Sequence, residues 1–362
     1  MNRYYNPVRT LEGPGSLSSL PEILNGMEPD SKRILLLVWS EEVLKNPAFS
    51  FLLDQKSGFQ TLPFSFQASN PTVEQLFETY EATKEFAPAV VIAVGGGSIM
   101  DVGKSLCCLY GHSLSNVDAL RELIVTKAYG TPAARWIGIP TTAGTGSETT
   151  CWATIWDPSQ DAKRSVECHE NYAWAAVVDS DLTKGMPLKL AVSSGLDAAA
   201  HGVESYWAKG TNCVSRAMAL SAIRMIMENM EGLLAGRENA REAMARGSMM
   251  AGLAFSNTKT TACHSISYPL TMHYSIPHGA AVSMLLAPLL KRNLPATKGS
   301  EALLNALGVS DVDELAGKIR RILKESGQPS TLKEWGVKKE DLPRLAALGM
   351  TKGRADNNPV AI

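Results

Sequence analysis

Four residues in the second half of the chain have the types and spacing of a divalent-metal site: Asp197, His201, His264 and His278. In Gly195-Leu196-Asp197-Ala198-Ala199-Ala200-His201-Gly202 a carboxylate and an imidazole stand four residues apart. On a helix both project from one face, about one turn apart. The chain has 6 histidines, and three of them belong to this set. One carboxylate and three imidazoles form a mixed oxygen and nitrogen donor set that suits Fe(II) or Zn(II) better than Ca(II) or Mg(II). An ion held with open positions polarises a carbonyl as a Lewis acid. Each piece also has a plainer reading. A D-x-x-x-H pair is often a helix-surface pair or an N-terminal cap. His264, in Thr261-Ala262-Cys263-His264-Ser265, stands where a core histidine could, and His278 follows Ile276-Pro277 as if opening a helix.

A second chemical signal lies upstream. Gly95-Gly96-Gly97-Ser98-Ile99-Met100-Asp101-Val102-Gly103-Lys104 follows an apolar run and leads into a helical pattern. Glycines let a backbone approach a ligand closely, and a helix N-terminus offers free N–H groups and partial positive charge to a pyrophosphate. Ser98 could cap that helix or bond the phosphate. The run is neither G-x-G-x-x-G nor a P-loop, and its plain alternative is a tight strand-to-helix turn. Pro140-Thr141-Thr142-Ala143-Gly144-Thr145-Gly146-Ser147-Glu148 repeats the arrangement of hydroxyls and glycines after an apolar run, as in a nucleotide crevice or a surface loop.

The elements that must position these groups can be read from patterning. Residues 33–39, 60–66, 89–94 and 136–140 are near-continuous apolar runs, which predicts a parallel sheet covered on both faces. Residues 72–85 are charged, lack Gly and Pro, and carry Val73, Leu76, Phe77 and Tyr80, which predicts a helix. After about Pro187 strand signals fade, and 213–234, 239–254 and 279–292 read as helices. The expectation is an α/β dinucleotide-binding domain over 1–185 and an all-α domain over 186–362.

Bulk properties exclude several classes. With 362 residues, two domains are expected. A net charge of -1 leaves no electrostatic footprint for nucleic acid. No apolar run reaches the ~18 residues of a membrane span, and the N-terminus lacks a signal-peptide core, so a cytoplasmic protein is expected. The 6 cysteines form no C-x-x-C pair and read as free thiols.

In order and spacing, GGGSIMDVGKS at 95–105, TTAGTGSE at 141–148, SGLDAAAHGVE at 194–204, His264 and Pro277-His278-Gly279 resemble the iron-containing (group III) alcohol dehydrogenase family over most of the chain. The resemblance implies an α/β dinucleotide-binding domain with a parallel sheet, a helical metal-binding domain, and an active site in the cleft between them. It implies Asp197, His201, His264 and His278 as metal ligands, with Fe(II) or Zn(II) bound. Gly95, Gly96, Gly97 and Ser98 would hold the cofactor pyrophosphate, Thr141, Thr142 and Thr145 would line the adenosine and nicotinamide side, and Asp101 and Lys104 would sit nearby. The family often has a second histidine four residues after the third ligand, and here that position is Tyr268. With a reference pKa near ~10, a tyrosine could donate a proton but is a poor base at neutral pH. Its other role is to shape the pocket. The residues assigned to the chemistry are therefore Tyr268, His264 and His278.

The runs at 168–173, 264–271 and 353–359 further resemble the phosphonoacetaldehyde reductase branch, which reduces phosphonoacetaldehyde to 2-hydroxyethylphosphonate in phosphonate and phosphinate biosynthesis. The alternatives are another short-chain alcohol or aldehyde dehydrogenase of the family, a metal-dependent lyase or synthase on the same fold, and a non-catalytic binding protein. A phosphonate needs cationic partners, and Lys163, Arg164, His169 and Arg354 are the candidates, against the plain reading of solvated surface charge. The first strand run ends Val38-Trp39-Ser40 without an acid to bond a ribose 2′-hydroxyl, which leans toward NADP(H) over NAD(H) and adds Trp39 and Ser40 to the cofactor set. A homodimer or larger assembly is the family expectation.

Overall fold

The computed structural model describes residues 3–350 and 353–362. The described residues divide into two compact units, one comprising Pro7–Thr141 and Ser147–Leu182, the other Thr142–Gly146 and Thr183–Ile362 together with Arg3–Asn6. Beside the expected 1–185 and 186–362, two short pieces from the first half, Arg3–Asn6 and Thr142–Gly146, group with the helical unit.

The α/β unit contains strands β1 (Arg9–Glu12), β2 (Arg33–Val38), β3 (Gln60–Ser65), β4 (Val90–Gly95), β5 (Arg135–Pro140), β6 (Trp152–Asp157), β7 (Ala162–Glu167) and β8 (Ala175–Val178). Its helices are α1 (Leu20–Met27), the single turn α2 (Ser50–Leu53), α3 (Val73–Thr83), α4 (Gly97–Leu109) and α5 (Val117–Thr126). Six strands form one sheet in the order β1-β8-β5-β4-β2-β3, with every neighbouring pair parallel. Side chains alternate across a strand, so Leu35, Leu37, Val91 and Ala93 enter the core shared with α3, α4 and α5. Ile34, Leu36, Val38, Val90, Ile92 and Val94 enter the opposite core with Leu20 and Leu24 of α1. Burial on both faces is why these strands read as unbroken apolar runs.

Four strands lie outside the sequence expectation. β1 and β8 are 4 residues each, β1 exposed along most of its length and β8 fully buried. β6 and β7 form a separate antiparallel hairpin, with Trp152 opposite Glu167 and Asp157 opposite Ala162. Helix α3 begins at a capping box, Thr72 receiving the Gln75 N–H while the Gln75 side chain receives that of Thr72.

The helical unit holds α6 (Leu188–Trp207), α7 (Cys213–Leu234), α8 (Glu238–Thr258), α9 (Ala262–Tyr274), α10 (His278–Asn293), α11 (Ser300–Leu307), α12 (Val312–Glu325) and α13 (Leu342–Gly349). Nearly every residue of α6 from Ala191 to Trp207 is buried, so this helix is the axis that α7, α8 and α10 surround. The C-terminal tail forms a 3-10 turn at Ala355–Asn357, while Thr351 and Lys352 of the polar run at 351–359 lie outside the described residues. All 6 cysteines are free. Among the described residues no helix is long and apolar enough to cross a membrane.

Candidate metal centre and cofactor site

Helix α6 places Asp197 and His201 one turn apart, both buried. His264, two residues into α9, joins them so that one donor atom from each of the three lies within 4.8 Å of the others. The His264 and His201 rings stack at 4.3 Å, and Phe255 of α8 stacks on the other face of His201 at 4.3 Å. His278 opens α10, its Nε2 3.8 Å from Asp197 Oδ1 and its side chain 34% exposed. It is therefore the open side of the cluster. Gly279 makes that approach possible, because a Cβ there would lie 2.0 Å from the Ser193 carbonyl of α6.

Hydrogen bonds fix which imidazole nitrogen is available. His201 Nδ1 is 3.2 Å from the Gly144 carbonyl, and His264 Nδ1 is 2.5 Å from Glu204 Oε2. Each contact takes an Nδ1–H and leaves Nε2 as the nitrogen that can ligate a metal. His264 Nε2 and Asp197 Oδ1, 3.4 Å apart, are both buried without a hydrogen-bond partner. Two buried polar atoms left without a hydrogen bond fit a bound cation, which would take the place of a proton on His264 Nε2, and the oxygen and nitrogen donors suit Fe(II) or Zn(II). Burial pushes the His201 imidazole down to about 4. At His264 burial opposes the charge, but Glu204 and Asp197 outweigh it and hold the group up at about 9. Burial also opposes the Asp197 carboxylate, and the three histidines overcome it and keep it well below the usual range.

Glu204 is the residue that sequence reading passed over. It lies three residues after His201 in the same run, and Asp197, His201 and Glu204 at i, i+4 and i+7 share one face of α6.

In the α/β unit the glycine run joins β4 to α4. Neighbouring β2 and β4 have successors on opposite sides of the sheet, β3 beyond β2 and β5 beyond β4. The carboxyl ends at such a switch point form a nucleotide crevice. Trp39 N–H donates to Val94 O at 3.2 Å, and Thr141 N–H donates to Gly95 O at 3.0 Å, so the ends of β2, β4 and β5 lie side by side. Trp39 is 49% exposed, and the Ser40 side chain accepts from Glu42 N–H. Helix α4 starts at Gly96 with no side-chain cap, which leaves first-turn N–H groups for a ligand.

Three details differ from expectation. Ser98 is not the cap, since its Oγ accepts from Asn70 N–H at 3.2 Å. Gly95 is required by packing, because a Cβ there would fall 2.4 Å from Ile99 Cγ1. Asp101, expected beside the cofactor, has both oxygens engaged, accepting from Ser147 Oγ at 2.9 Å and Thr154 N–H at 3.0 Å. Thr142 and Thr145 belong to the helical unit, while Thr141 stays with the α/β unit.

The four cationic candidates separate. Arg164 Nε donates to buried Asp157 at 2.5 Å, a structural ion pair. Lys163 lies 5.5 Å from the Trp156 ring, and the His169 ring meets Tyr172 at 6.0 Å. Arg354 of the helical unit's tail lies 5.1 Å over the ring of Tyr268, and that ring stacks on His278 at 5.7 Å.

Comparison with known proteins covers both halves. The family model "Iron-containing alcohol dehydrogenase" matches residues 7–180, and "Fe-containing alcohol dehydrogenase family, C-terminal" matches residues 191–362. An NADPH-dependent butanol dehydrogenase of Clostridium saccharobutylicum is 31% identical over 350 residues, 94% of this chain and 88% of that protein. An NAD-dependent methanol dehydrogenase of Bacillus methanolicus is 32% identical over 378 residues, covering 99% and 96%. Sulfoacetaldehyde reductase of Bifidobacterium kashiwanohense, solved with NAD+, is 27% identical with a TM-score of 0.87 over 100% of this chain and 95% of that one.

Proposed function

Since the chain belongs to the iron-containing alcohol dehydrogenase family and is an NAD(P)-dependent alcohol/aldehyde oxidoreductase, we propose that it reduces a small aldehyde bearing an anionic head group to the primary alcohol. Phosphonoacetaldehyde, giving 2-hydroxyethylphosphonate, is the substrate of first choice. The observation that carries this reading is the stack Arg354–Tyr268–His278, which sets a guanidinium beside the open edge of the metal cluster. No carboxylate among the described residues pairs with Arg354. A guanidinium in that position offers a bidentate fork to a phosphonate or sulfonate. The sulfoacetaldehyde reductase relative carries an anionic two-carbon aldehyde in its name, which supports the same class and makes the sulfonate the second candidate.

The turn that follows Arg354 is anchored to the helical unit. Asn358 and Asn293 exchange side-chain hydrogen bonds of 2.9 and 2.7 Å in full burial. Asn357 Nδ2 donates to the carbonyls of Thr258 and Thr260, and Lys209 N–H donates to Asn357 O.

A divalent ion held by Asp197, His201, His264 and His278 supplies Lewis-acid polarisation of a carbonyl, and a nicotinamide cofactor supplies the hydride. Asp197 brings the negative charge, and His201 and His264 present Nε2. Burial raises the Tyr268 phenol while Arg354 acts against it, so Tyr268 Oη holds its proton at neutral pH and stands as a donor, not a base. Gly95, Gly96, Gly97 and Ser98 at the open start of α4 are the proposed pyrophosphate cradle, with Thr141, Thr142 and Thr145 lining the rest of the cofactor. Trp39, just past the end of β2, brings no carboxylate to bond a ribose 2′-hydroxyl or repel a 2′-phosphate, which favours NADPH.

The test compares phosphonoacetaldehyde with uncharged propionaldehyde, using NADPH and NADH. Arg354→Ala is expected to lower kcat/KM for the phosphonate about 10- to 100-fold, the worth of a charged hydrogen bond, and to spare propionaldehyde. Equal effects on both substrates would return the reading to an uncharged alcohol or aldehyde dehydrogenase.

A further inference from the structure

Glu204 is 0% exposed, and three donors converge on its two oxygens. Thr261 Oγ1 and Cys263 N–H both donate to Oε1 at 2.6 Å, and His264 Nδ1 meets Oε2 at 2.5 Å. Thr261 Oγ1 in turn accepts from Trp207 Nε1 at 2.8 Å, which fixes its own proton toward Glu204. Thr261 is the N-cap residue of α9 yet makes no side-chain cap bond, so a carboxylate from α6 supplies what the cap would have done.

A carboxylate suits this position where an amide does not. All three neighbours donate, and an ionised carboxylate accepts only. With Nδ1–H given to Oε2, the His264 ring is held in one orientation and its Nε2 faces Asp197 Oδ1 at 3.4 Å, aimed at the metal position. We propose that Glu204 is the positioning residue of the metal site: it sets the tautomer and rotation of His264, so that α6 supplies two ligands and also orients the ligand that α9 supplies. This rests on the metal-site reading above. Carboxylate partners of ligating histidines raise ligand basicity and are worth about 10- to 100-fold in metal affinity.

Glu204→Gln separates orientation from packing. The glutamine oxygen can still accept from Thr261 and Cys263, but its NH2 faces His264 Nδ1, which must then accept and place the proton on Nε2. Metal-free protein titrated with Co(II), read by the visible absorption of the bound ion, should bind about 10- to 100-fold more weakly in Glu204→Gln. Thr261→Val, which leaves the Glu204–His264 contact in place, should bind as the parent does even where its metal-free form melts earlier. Equal Co(II) affinity in parent and Glu204→Gln overturns the proposal, as does a loss shared equally by Thr261→Val. If the parent itself takes up no Co(II), the metal-site reading fails first. Should Glu204→Gln not fold, NMR of the unaltered Zn(II)-loaded protein with isotope-labelled histidine decides: His264 must carry its proton on Nδ1, and a proton on Nε2 overturns the assignment.

Discussion

Two buried polar clusters, one in each unit, differ in what they leave over. In the α/β unit Lys104 gives its three ammonium protons to Ser147 Oγ at 2.7 Å, Thr150 Oγ1 at 2.8 Å and Trp152 O at 2.8 Å. Asp101, 3.6 Å from that ammonium, accepts from Ser147 and Thr154. Burial pushes the Lys104 ammonium down and the Asp101 carboxyl up, and each opposes the shift of the other. Donors and acceptors match, so this cluster joins α4 to β6 and closes on itself. In the helical unit Glu204 is likewise satisfied, but Asp197 Oδ1 and His264 Nε2 are not. Burial of charge thus marks both places, and only the leftover lone pairs mark a ligand site.

The sharpest way to break this contrast is Asp197→Ala, which removes the one negative ligand. Reductase activity is expected to fall by about 1,000-fold or more at saturating metal, with the metal-free protein still folded by circular dichroism. Retained activity would make the two clusters equivalent. Next in size is Lys104→Met, which leaves the mostly buried Asp101 carboxylate without its ammonium partner. Urea unfolding should report a loss of about 3–5 kcal/mol, partly recovered in the Asp101→Asn/Lys104→Met double variant, with Co(II) affinity unchanged. An undiminished unfolding midpoint would show that the Lys104 network carries no structural weight.

The smallest effect concerns Glu148, next to that network. Burial raises its carboxyl from 4.5 to about 7, while Lys104 acts in the opposite direction. The folded protein disfavours the ionised form, so stability is full below about 4.5 and is lost as pH rises to about 7. Glu148→Gln should flatten this dependence, gaining up to about 3 kcal/mol over the parent at pH 8 and little at pH 4. Parallel pH curves for the two proteins would count against it.

Local pattern carried the reading where one element suffices. The apolar runs of β2 to β5 are legible because each strand is buried on both faces, and Thr72 with Gln75 marks the start of α3 within four residues. The edge strand β1, Arg9–Glu12, has no such run because most of it faces solvent. The β6–β7 hairpin is illegible for a different reason: β7, AKRSVE, is polar and mostly half-buried, and its Arg164, a candidate substrate contact by charge, pairs with Asp157.

By itself, then, the sequence determined the donor types, the one-turn spacing of Asp197 and His201, and the glycine turn that opens α4. Tertiary structure alone decided that His264 and His278 meet them from two other helices, that Gly279 admits α10 against α6, and that Asp101 accepts from Ser147 and Thr154 beside Lys104. It also decided that Glu204 faces His264 and that Arg354 reaches Tyr268. The physical reason is range. Spacing along a helix is fixed by backbone geometry within a few residues, whereas the orientation of an imidazole depends on which distant groups packing brings to its other nitrogen.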